Sequence, residues 1–352
     1  MNIQLSKIKR ITIFLAGISA ASIPTMGYAD WSIVGLGTLG GSYSFADGIN
    51  DSGQVVGISH RNDFANHAFI TGPNGVGMTD LGTLNGYQHS SAFSINESGQ
   101  VVGYSVLNVE GATTLYHAFI TGPNGVGMTD LGTLGGSRSS FARDINDSGQ
   151  VVGFTKNENG DIFHAFITGP NGVGMTDLGT LGGVYSSAHG INDSGQVVGD
   201  ASTGRASHAF ITGPNGSGMT DLGTLGGFES IARGINDSGE VVGSAATADG
   251  PEHSFIFSHG GITDLSLLAP VITAGWTSLV AVSINNNGQM VGHGFHNGHT
   301  EAFLLSYTPD TVFDPKPIYI PPPIPEPETY VMLLAGLGLL GFMARNRKES
   351  IV

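Results

Sequence analysis

The stretch HAFITGPNGVGMTDLGTLGG, residues 117–136, is nearly repeated at three other places in this chain. Close copies begin at His67, His164 and His208, and weaker ones begin at His253 and Glu301. Each close copy joins two short runs of strand-forming residues through a Gly-Pro-Asn-Gly segment, which is typical of a tight turn. We therefore predict a chain built from one repeated unit of short antiparallel strands.

The complete repeat contains four such strands. Its second landmark, Ile-Asn-Asp-Ser-Gly-Gln-Val-Val-Gly or a variant, recurs every 44–50 residues. The first strand ends at the isoleucine, and Asn-Asp-Ser-Gly forms a turn whose glycine can adopt a positive φ. Gln-Val-Val-Gly, His-Ala-Phe-Ile-Thr and Met-Thr-Asp-Leu-Gly-Thr-Leu supply the second, third and fourth strands. A unit of this size and strand number is typical of a propeller blade.

The number of repeats predicts an all-β fold, a six-bladed β-propeller of four-stranded blades closed by its own ends. Residues 31–39 form a fourth strand with no strand before it, and residues 301–307 form a third strand with no fourth strand after it. Pairing these two segments would complete the sixth blade and remove exposed sheet edges. A β-solenoid is the alternative, although we find no capping segment at either end.

Variation among the repeats is concentrated in two connections. The connection between the second and third strands varies in length, and the connection between the fourth and first strands varies in sequence. Both lie on one face of an up-and-down blade, opposite the uniform turns, and loops on a rigid scaffold commonly carry binding residues. Drift on a face that binds nothing is the alternative. The candidate contacts on this variable face are Tyr43, Tyr87, Arg138, Tyr185, Glu229 and Trp276.

The composition favours a packed domain with an acidic surface. Hydrophobic residues make up 40% of the 352 residues, so the chain can bury a core and is not predicted to be disordered. The net charge of -15 disfavours nucleic acid as a partner. The sequence contains no Cys, which excludes disulfides and thiolate catalysis.

The N-terminal segment has the order of a secretory signal peptide. Three basic residues within the first ten precede an apolar run over residues 11–23, and small residues lead to a cleavage site between Ala29 and Asp30. We therefore predict that residues 1–29 are removed and that residues 30–307 form the propeller. A membrane anchor is the alternative, but the apolar run is shorter than the ~20 residues that a membrane span needs.

The C-terminal segment combines three features that together resemble the PEP-CTERM sorting signal of Gram-negative bacteria. A Pro-rich linker over residues 308–324 leads to the motif Pro325, Glu326 and Pro327, and an apolar, helix-like run covers about residues 331–344. The predicted signal, residues 325–348, closes with the basic residues Arg345, Arg347 and Lys348, which retain that end on the cytoplasmic side. The resemblance implies recognition by an exosortase in the inner membrane, removal of the tail and delivery to the cell exterior. A plain C-terminal membrane anchor is the alternative.

The repeat itself resembles the HAF-type extracellular repeat. The resemblance covers residues 35–303 and rests on His67-Ala68-Phe69 and its copies. The last two copies depart from it, as His253-Ser254-Phe255 and Glu301-Ala302-Phe303. The resemblance implies an exterior location and brings no established activity.

Motifs for chemistry are weak, and we predict no catalytic residue, metal site or cofactor. Repeat histidines in successive blades would lie too far apart to share an ion, since imidazole ligands sit ~2 Å from a metal; we expect them to cap backbone groups. One Asp per turn is too few for calcium, which takes about 6–8 oxygen ligands. The Gly-rich segments lack the Lys of a phosphate loop. Glycan cleavage needs paired carboxylates, and the acidic residues that break the repeat pattern are Asp47, Asp144, Glu229 and Glu301.

The predicted function is that of an exported, exosortase-sorted protein of the cell surface or exopolysaccharide matrix, acting as a non-enzymatic scaffold. Its expected partners are the Sec machinery and an exosortase during export, with extracellular polysaccharide as a candidate ligand and the membrane contacted only transiently through the C-terminal segment. A glycan-binding module is the alternative, with three tyrosines on the variable face and Trp276 as a stacking platform. A propeller glycan hydrolase or lyase ranks third, because no motif supports it.

The two terminal signals predict a protein that is trimmed at both ends. Mass spectrometry of protein recovered from the culture should show a chain that begins at or near Asp30 and ends near Pro325-Glu326-Pro327. In a host strain without its exosortase, the C-terminal segment should remain attached. A full-length species held in the membranes of both strains would contradict the prediction and indicate a simple anchor.

Overall fold

The structure is a computed structural model that describes residues 35–108, 114–135, 137–157, 159 and 163–306. The predicted signal peptide, linker, sorting signal and C-terminal hydrophobic helix lie outside these residues. Within them, the chain forms six antiparallel sheets, which we call blades 1 to 6 in chain order.

Blades 1 to 5 each contain four strands in sequential order, and blade 6 contains three in the described residues. The strands of blades 1 to 3 are β1 (Gly40–Ile49), β2 (Val55–Arg61), β3 (Asn66–Thr71), β4 (Met78–Gly82), β5 (His89–Ile95), β6 (Val101–Leu107), β7 (Leu115–Thr121), β8 (Met128–Gly132), β9 (Ser137–Ile145), β10 (Val151–Asn157), β11 (Phe163–Thr168) and β12 (Met175–Asp177). Those of blades 4 to 6 are β13 (Ser186–Ile191), β14 (Val197–Ser202), β15 (Ser207–Thr212), β16 (Met219–Gly223), β17 (Gly226–Ile235), β18 (Val241–Thr247), β19 (Glu252–Ser258), β20 (Gly261–Asp264), β21 (Thr277–Ile284), β22 (Gln289–His296) and β23 (His299–Ser306), with a short helix α1 (Ala269–Thr273) before β21.

The first strand of every blade faces a common central cavity, so we call β1, β5, β9, β13, β17 and β21 the inner strands. Successive blades pack face to face around this cavity. This radial arrangement confirms the prediction of an all-β, six-bladed propeller, because a solenoid would stack its repeats along a line instead.

Each inner strand contains a β-bulge at the same position. In blade 3, Ala142 pairs with Gly153 and Asp144 pairs with Val152, which leaves Arg143 as the extra residue. The glycine is required there, since a Cβ on Gly153 would lie 1.9 Å from the carbonyl oxygen of Phe141. In the other blades the same shift in pairing makes the extra residue Asp47, Phe93, His189, Arg233 or Val282.

The hydrophobic core is divided among the interfaces between successive blades. Between blades 2 and 3, Val102 and Ile120 of one sheet pack against Ala142 and Ile145 of the next inner strand. The phenylalanine of the His-Ala-Phe sequence is fully buried in each of the first five blades. Truncation of one such ring would cost about 3–5 kcal/mol of stability.

The Asn-Asp-Ser-Gly turns form a hydrogen-bonded belt that links five blade pairs. Asn146 Oδ1 accepts from the backbone N–H of Gln150, while its Nδ2 donates to the carbonyl of Asn192 in the next blade, at 3.0 Å. The backbone N–H of Asp147 also donates to the carboxylate of Asp193, at 3.0 Å. Equivalent asparagine links start from Asn50, Asn96, Asn192 and Asn236.

The Gly-Pro-Asn-Gly turns lie on the same face as this belt. The backbone N–H of Asn124 donates to the carbonyl of Ser98, at 3.2 Å, and that of Gly125 donates to Gly99, at 2.9 Å. This arrangement confirms that the uniform turns share one face, and the connections that vary therefore lie at the opposite ends of the strands.

The repeat histidines pair with side chains rather than capping backbone groups, so that expectation was wrong. His117 Nδ1 lies 2.7 Å from the carboxylate of Asp130, on the neighbouring fourth strand, and Asp130 in turn accepts from the backbone N–H of Gly132. The matching pairs are His67–Asp80, His164–Asp177, His208–Asp221 and His253–Asp264. The aspartate of the fourth strand, and not the histidine, caps the backbone.

The seam between blade 6 and blade 1 differs from the other five interfaces. Ile49 of β1 is 68% exposed and Leu304 of β23 is 63% exposed, whereas the equivalent Ile145 and Ile120 are 6% and 4% exposed. Asn285 Nδ2 donates to Gln289 in its own blade, where the other turns also reach the next blade. In the described residues, the hydrogen-bonded belt therefore ends at blade 6.

The start of the described chain occupies the place of a fourth strand beside blade 1. A Cβ on Gly75 would lie 2.9 Å from Leu36 Cδ2, just as one on Gly125 would lie 2.6 Å from the equivalent atom of Leu81. Residues 35–39 do not pair with β23, however, and Leu39 instead forms a bridge with Arg61. Closure through residues 31–39 and 301–307 stays a prediction, since residues 31–34 and 307 lie outside the described chain.

Two matched substitutions test the belt and its end at blade 6. Asn146→Ala should lower the free energy of unfolding by about 3 kcal/mol, because it removes a link between blades and leaves buried backbone groups without partners. Asn285→Ala should cost about 1 kcal/mol or less, because Asn285 is exposed and its hydrogen bonds stay within one turn. Urea unfolding of the two variants measures both. Equal losses would show that the belt continues across the seam.

Candidate functional site

A cavity on the axis of the propeller is lined by all six inner strands. Its volume is about 350 Å³, within the range of small-molecule pockets. We call it the axial cavity. The bulge residues of all six blades line it, namely Asp47, Phe93, Arg143, His189, Arg233 and Val282.

The repeat places a variable residue directly after an alanine that all six inner strands share. The residue before the bulge is alanine in all six blades, and the second strand carries the same facing glycine in each. The bulge residue, in contrast, is Asp, Phe, Arg, His, Arg and Val in chain order. Bulges commonly redirect side chains next to functional sites. The axial cavity is therefore a position at which the fold is fixed and the chemistry is free to differ.

Positive charge is concentrated on one side of the cavity. Three successive blades contribute Arg143, His189 and Arg233, whereas blades 6, 1 and 2 contribute Val282, Asp47 and Phe93. Only seven Lys and Arg occur between residues 30 and 325, against 25 Asp and Glu. Two of those seven thus line a single cavity in an acidic protein.

Neither arginine has an acidic partner within the described residues. The guanidinium of Arg143 lies over the rings of Phe93, at 5.1 Å, and Phe154, at 5.4 Å. Burial lowers the pKa of Arg143, although a guanidinium remains charged in proteins. The Nε–H groups of Arg143 and Arg233 are both buried without a hydrogen-bond partner in the described chain. Arginine N–H groups without partners are what an anion needs.

The carboxylate of Asp144 lies in the wall of the cavity and is committed to the protein. One oxygen accepts from Ser94 Oγ, at 2.7 Å, and from the backbone N–H of Ile145, at 2.9 Å. The other accepts from the backbone N–H of Ile191, at 3.0 Å. Burial raises the pKa of Asp144. The side chain therefore connects blades 2, 3 and 4, which is a structural task.

A second carboxylate near the axis is also occupied. Asp200 accepts from Ser207 Oγ, at 2.8 Å, and lies 2.8 Å from His189 Nε2. His189 is thereby oriented by a partner in its own blade. The acids closest in sequence to the cationic side thus pair with groups other than the two arginines.

The predicted variable-face residues lie at the opposite ends of the inner strands. Each blade contributes one of them, either among the first four residues of its inner strand or just before it, in agreement with the predicted face. Their contacts with a ligand remain a prediction. None of these six residues lines the axial cavity. They are Tyr43, Tyr87, Arg138, Tyr185, Glu229 and Trp276.

Several of these aromatic residues are held by neighbouring side chains. Tyr43 stacks on His60 with a centroid distance of 4.9 Å and donates its hydroxyl to Asn66 Oδ1, at 2.7 Å. Trp276 stacks on His296 at 4.4 Å. Burial raises the pKa of Tyr87. The rings are therefore fixed in orientation, but they belong to separate blades.

The four acidic residues that break the repeat pattern separate into different environments. Asp47 and Asp144 line the axial cavity. Glu229 is exposed on β17, and Glu301 lies 3.0 Å from His296 Nδ1. Blade 6 thus reverses the repeat pair, with the acid on the third strand and the histidine on the second. Glu229 and Glu301 are not part of the cavity.

Arg143, His189 and Arg233 were not predicted as site residues. The signal for them is the residue two places before the isoleucine of each repeat. It varies in charge and size, whereas the residue before it is alanine in all six repeats. In the residues that the structure describes, no group of three or more His, Asp or Glu side chains is arranged to hold a metal. No helix among them is long and apolar enough to cross a membrane.

Comparison with known families identifies the C-terminal segment. Residues 323–348 match the PEP-CTERM protein-sorting motif. A chain with this motif is sorted by an exosortase and exported to the cell surface in Gram-negative bacteria. No curated protein matches the sequence.

Comparison with solved structures shows the fold alone. The chain is similar to a puromycin hydrolase, the S511A mutant in complex with PGG, with 14% identity over 75% of this chain and 43% of that chain and a TM-score of 0.52. It is also similar to the β-propeller domain of the Trilobed protease from Pyrococcus furiosus, which has an open velcro topology, with 9% identity, coverage of 75% and 83%, and a TM-score of 0.47.

The buried Asp144 carboxyl predicts a pH dependence of stability. Because its pKa is raised on folding, the folded chain binds this proton more tightly than the unfolded chain does. The contribution of Asp144 to stability therefore increases as the pH falls through its folded-state pKa. The free energy of unfolding of the wild type relative to Asp144→Asn, which does not titrate, should rise between about pH 7 and about pH 4. Thermal unfolding across this range measures the difference. A difference that stays constant, or that becomes smaller as the pH is lowered, would contradict the assignment.

Proposed function

We propose that this chain is a non-enzymatic scaffold of the cell surface or exopolysaccharide matrix of a Gram-negative bacterium. The observation that carries the proposal is the sorting motif at residues 323–348, joined to a propeller whose turns are linked by a uniform belt. A signal peptide over residues 1–29 would deliver the chain to the Sec machinery, and an exosortase would release the propeller from its tail. The HAF-type repeats would then form the exterior domain.

The contacts around the acidic residues support a structural role over a catalytic one. A general base must accept a proton from its substrate, and a retaining or inverting glycosidase needs two carboxyl groups flanking the scissile bond. Asp144 already accepts three hydrogen bonds from three blades. Glu301 is paired with His296, and Glu229 lies at the far end of its strand. Asp47 shares the axial cavity with Asp144, but the oxygens of Asp144 are already used by those three hydrogen bonds.

A glycan-binding module is the second candidate, and the stacked rings on the variable face favour it. Sugars pack on rigid aromatic faces, and the Tyr43–His60 and Trp276–His296 pairs hold rings in fixed orientations. Phe64 and Phe228, from other connections on this face, are 82% and 84% exposed. The ligand would be the extracellular polysaccharide of the host.

One experiment distinguishes the three functions. Purified protein is incubated with the host's extracellular polysaccharide, and both retention of the protein and polysaccharide chain length are measured. We expect unchanged chain length, because Asp144 and Glu301 are committed to structural contacts and Glu229 lies outside the axial cavity. Shortening that is lost in Asp144→Ala or Glu229→Ala would overturn the proposal in favour of an enzyme.

The aromatic residues separate the scaffold from the glycan-binding module. Retention that falls at least tenfold in Trp276→Ala would favour the module. A ring on which a sugar stacks would then contribute more than about 1.4 kcal/mol to the free energy of binding. Val173→Ala is the matched control, because Val173 is an exposed apolar residue on the uniform face. Equal retention of both variants and the wild type would leave the scaffold as the function.

A further inference from the structure

We propose that the axial cavity binds a small hydroxycarboxylate of sugar-acid size, with Arg143 and Arg233 as the ligands of its carboxylate. The inference concerns the axis and is independent of the scaffold role and of the variable face. It rests on two half-buried arginines that line one cavity without acidic partners in the described residues, and on the Asp47 carboxyl group in the same wall.

The two arginines are the reason for an anion. A buried polar group without a partner costs about 1–3 kcal/mol, and a charged group costs more. Arg143 is held in place by the rings of Phe93 and Phe154 and is one of the residues that line the cavity. A carboxylate accepts two parallel N–H bonds from the edge of a guanidinium group, which lysine could not supply.

The acids near the axis are not partners of the two arginines. The oxygens of Asp144 accept from Ser94, Ile145 and Ile191. The carboxylate of Asp200 is taken by His189 and Ser207. Asp47 lines the cavity from blade 1, and burial rather than a neighbouring arginine sets the direction of its pKa shift, which is upward. Two guanidinium groups without an acidic partner are expected when an external anion occupies the position.

The size of the cavity and an acceptor in its wall indicate an organic anion rather than a bare inorganic one. Asp47, from blade 1, supplies an acceptor for a hydroxyl group, and Phe93 packs on Arg143. A volume of about 350 Å³ accommodates a single sugar-sized molecule and excludes a folded peptide. A hydroxycarboxylate combines the carboxylate, the hydroxyls and the size that these groups require.

Calorimetric titration of the purified full chain with sodium glucuronate tests the proposal. We expect saturable binding to the wild type that is at least tenfold weaker in Arg143→Gln and in Arg233→Gln, since a charge-assisted pair contributes more than about 1.4 kcal/mol. Arg143→Lys and Arg233→Lys keep the charge and lose the planar fork, so their affinities should fall between those of the wild type and the glutamine variants. Arg61→Gln is the matched control, since Arg61 lies outside the cavity and its guanidinium pairs with Asp63 and Asp80.

Two further titrations and one stability measurement make the result decisive. Glucose has the shape of glucuronate without its charge, and phosphate has charge without the sugar frame. Equal binding of glucose or of phosphate, or affinity that is unchanged in both glutamine variants, would overturn the proposal. So would the lack of any binding to the wild type. If a variant is unstable, the rise in the melting temperature of the wild type with added glucuronate, but not with added glucose, supplies the same test.

Discussion

A bulged strand can pass close to its neighbour only where the neighbour has no side chain. The glycine of each Gln-Val-Val-Gly segment meets that condition, since a Cβ on it would lie 1.9–2.0 Å from a carbonyl oxygen of the inner strand. The bulge opposite this glycine turns one residue per blade toward the axis. The size and shape of the axial cavity, and the identity of the groups that face it, therefore depend on a glycine that never touches the cavity. Replacing that glycine would disturb the strand pairing, the alanine that packs on the preceding blade and the axial residue together.

The belt of turns explains why the repeats are so similar in sequence at their turns. An asparagine in each turn organises its own turn through its oxygen and reaches the next blade through its nitrogen, so both halves of the amide are used. Neither aspartate nor serine could do both, because neither has an acceptor and two donors on one side chain. The third and fourth strands add a histidine–aspartate pair in which the aspartate also caps a backbone N–H. Positions with two or three partners cannot vary singly, which confines variation to the loops and the bulge.

The strands and turns of the fold could be predicted because their signals are local. Asn-Asp-Ser-Gly and Gly-Pro-Asn-Gly fix the turns through positive φ and Pro, and the runs between them are rich in β-branched residues. The bulge could not be predicted in the same way, since a strict two-residue alternation gives no sign of the extra residue. Arg143 and Arg233 were therefore not assigned to one cavity. The partner of each repeat histidine was missed for a related reason. The partner aspartate lies on the neighbouring strand, and only the register between the two strands places it beside the histidine. The arrangement of the seam depends on contacts between the first and last blades. A repeat pattern does not predict these contacts, because it describes only consecutive repeats.

The atypical sixth repeat and the charges at the axis have a common physical basis. An internal blade buries both of its faces against neighbouring blades, so packing on both sides restricts its sequence. Blades 1 and 6 each have one such neighbour in the described chain. Blade 6 accordingly reverses the histidine–acid pair and leaves Leu304 exposed. At the axis every blade contributes one side chain, because the six bulges project toward the same space, and Asp47 is the acidic residue among the six. The two arginines repel each other unless an opposite charge lies close to both. Arg143 and Arg233 lie two blades apart, with His189 between them. The acidic residues on the rest of the surface do not stabilise these two charges, because solvent screens distant charges.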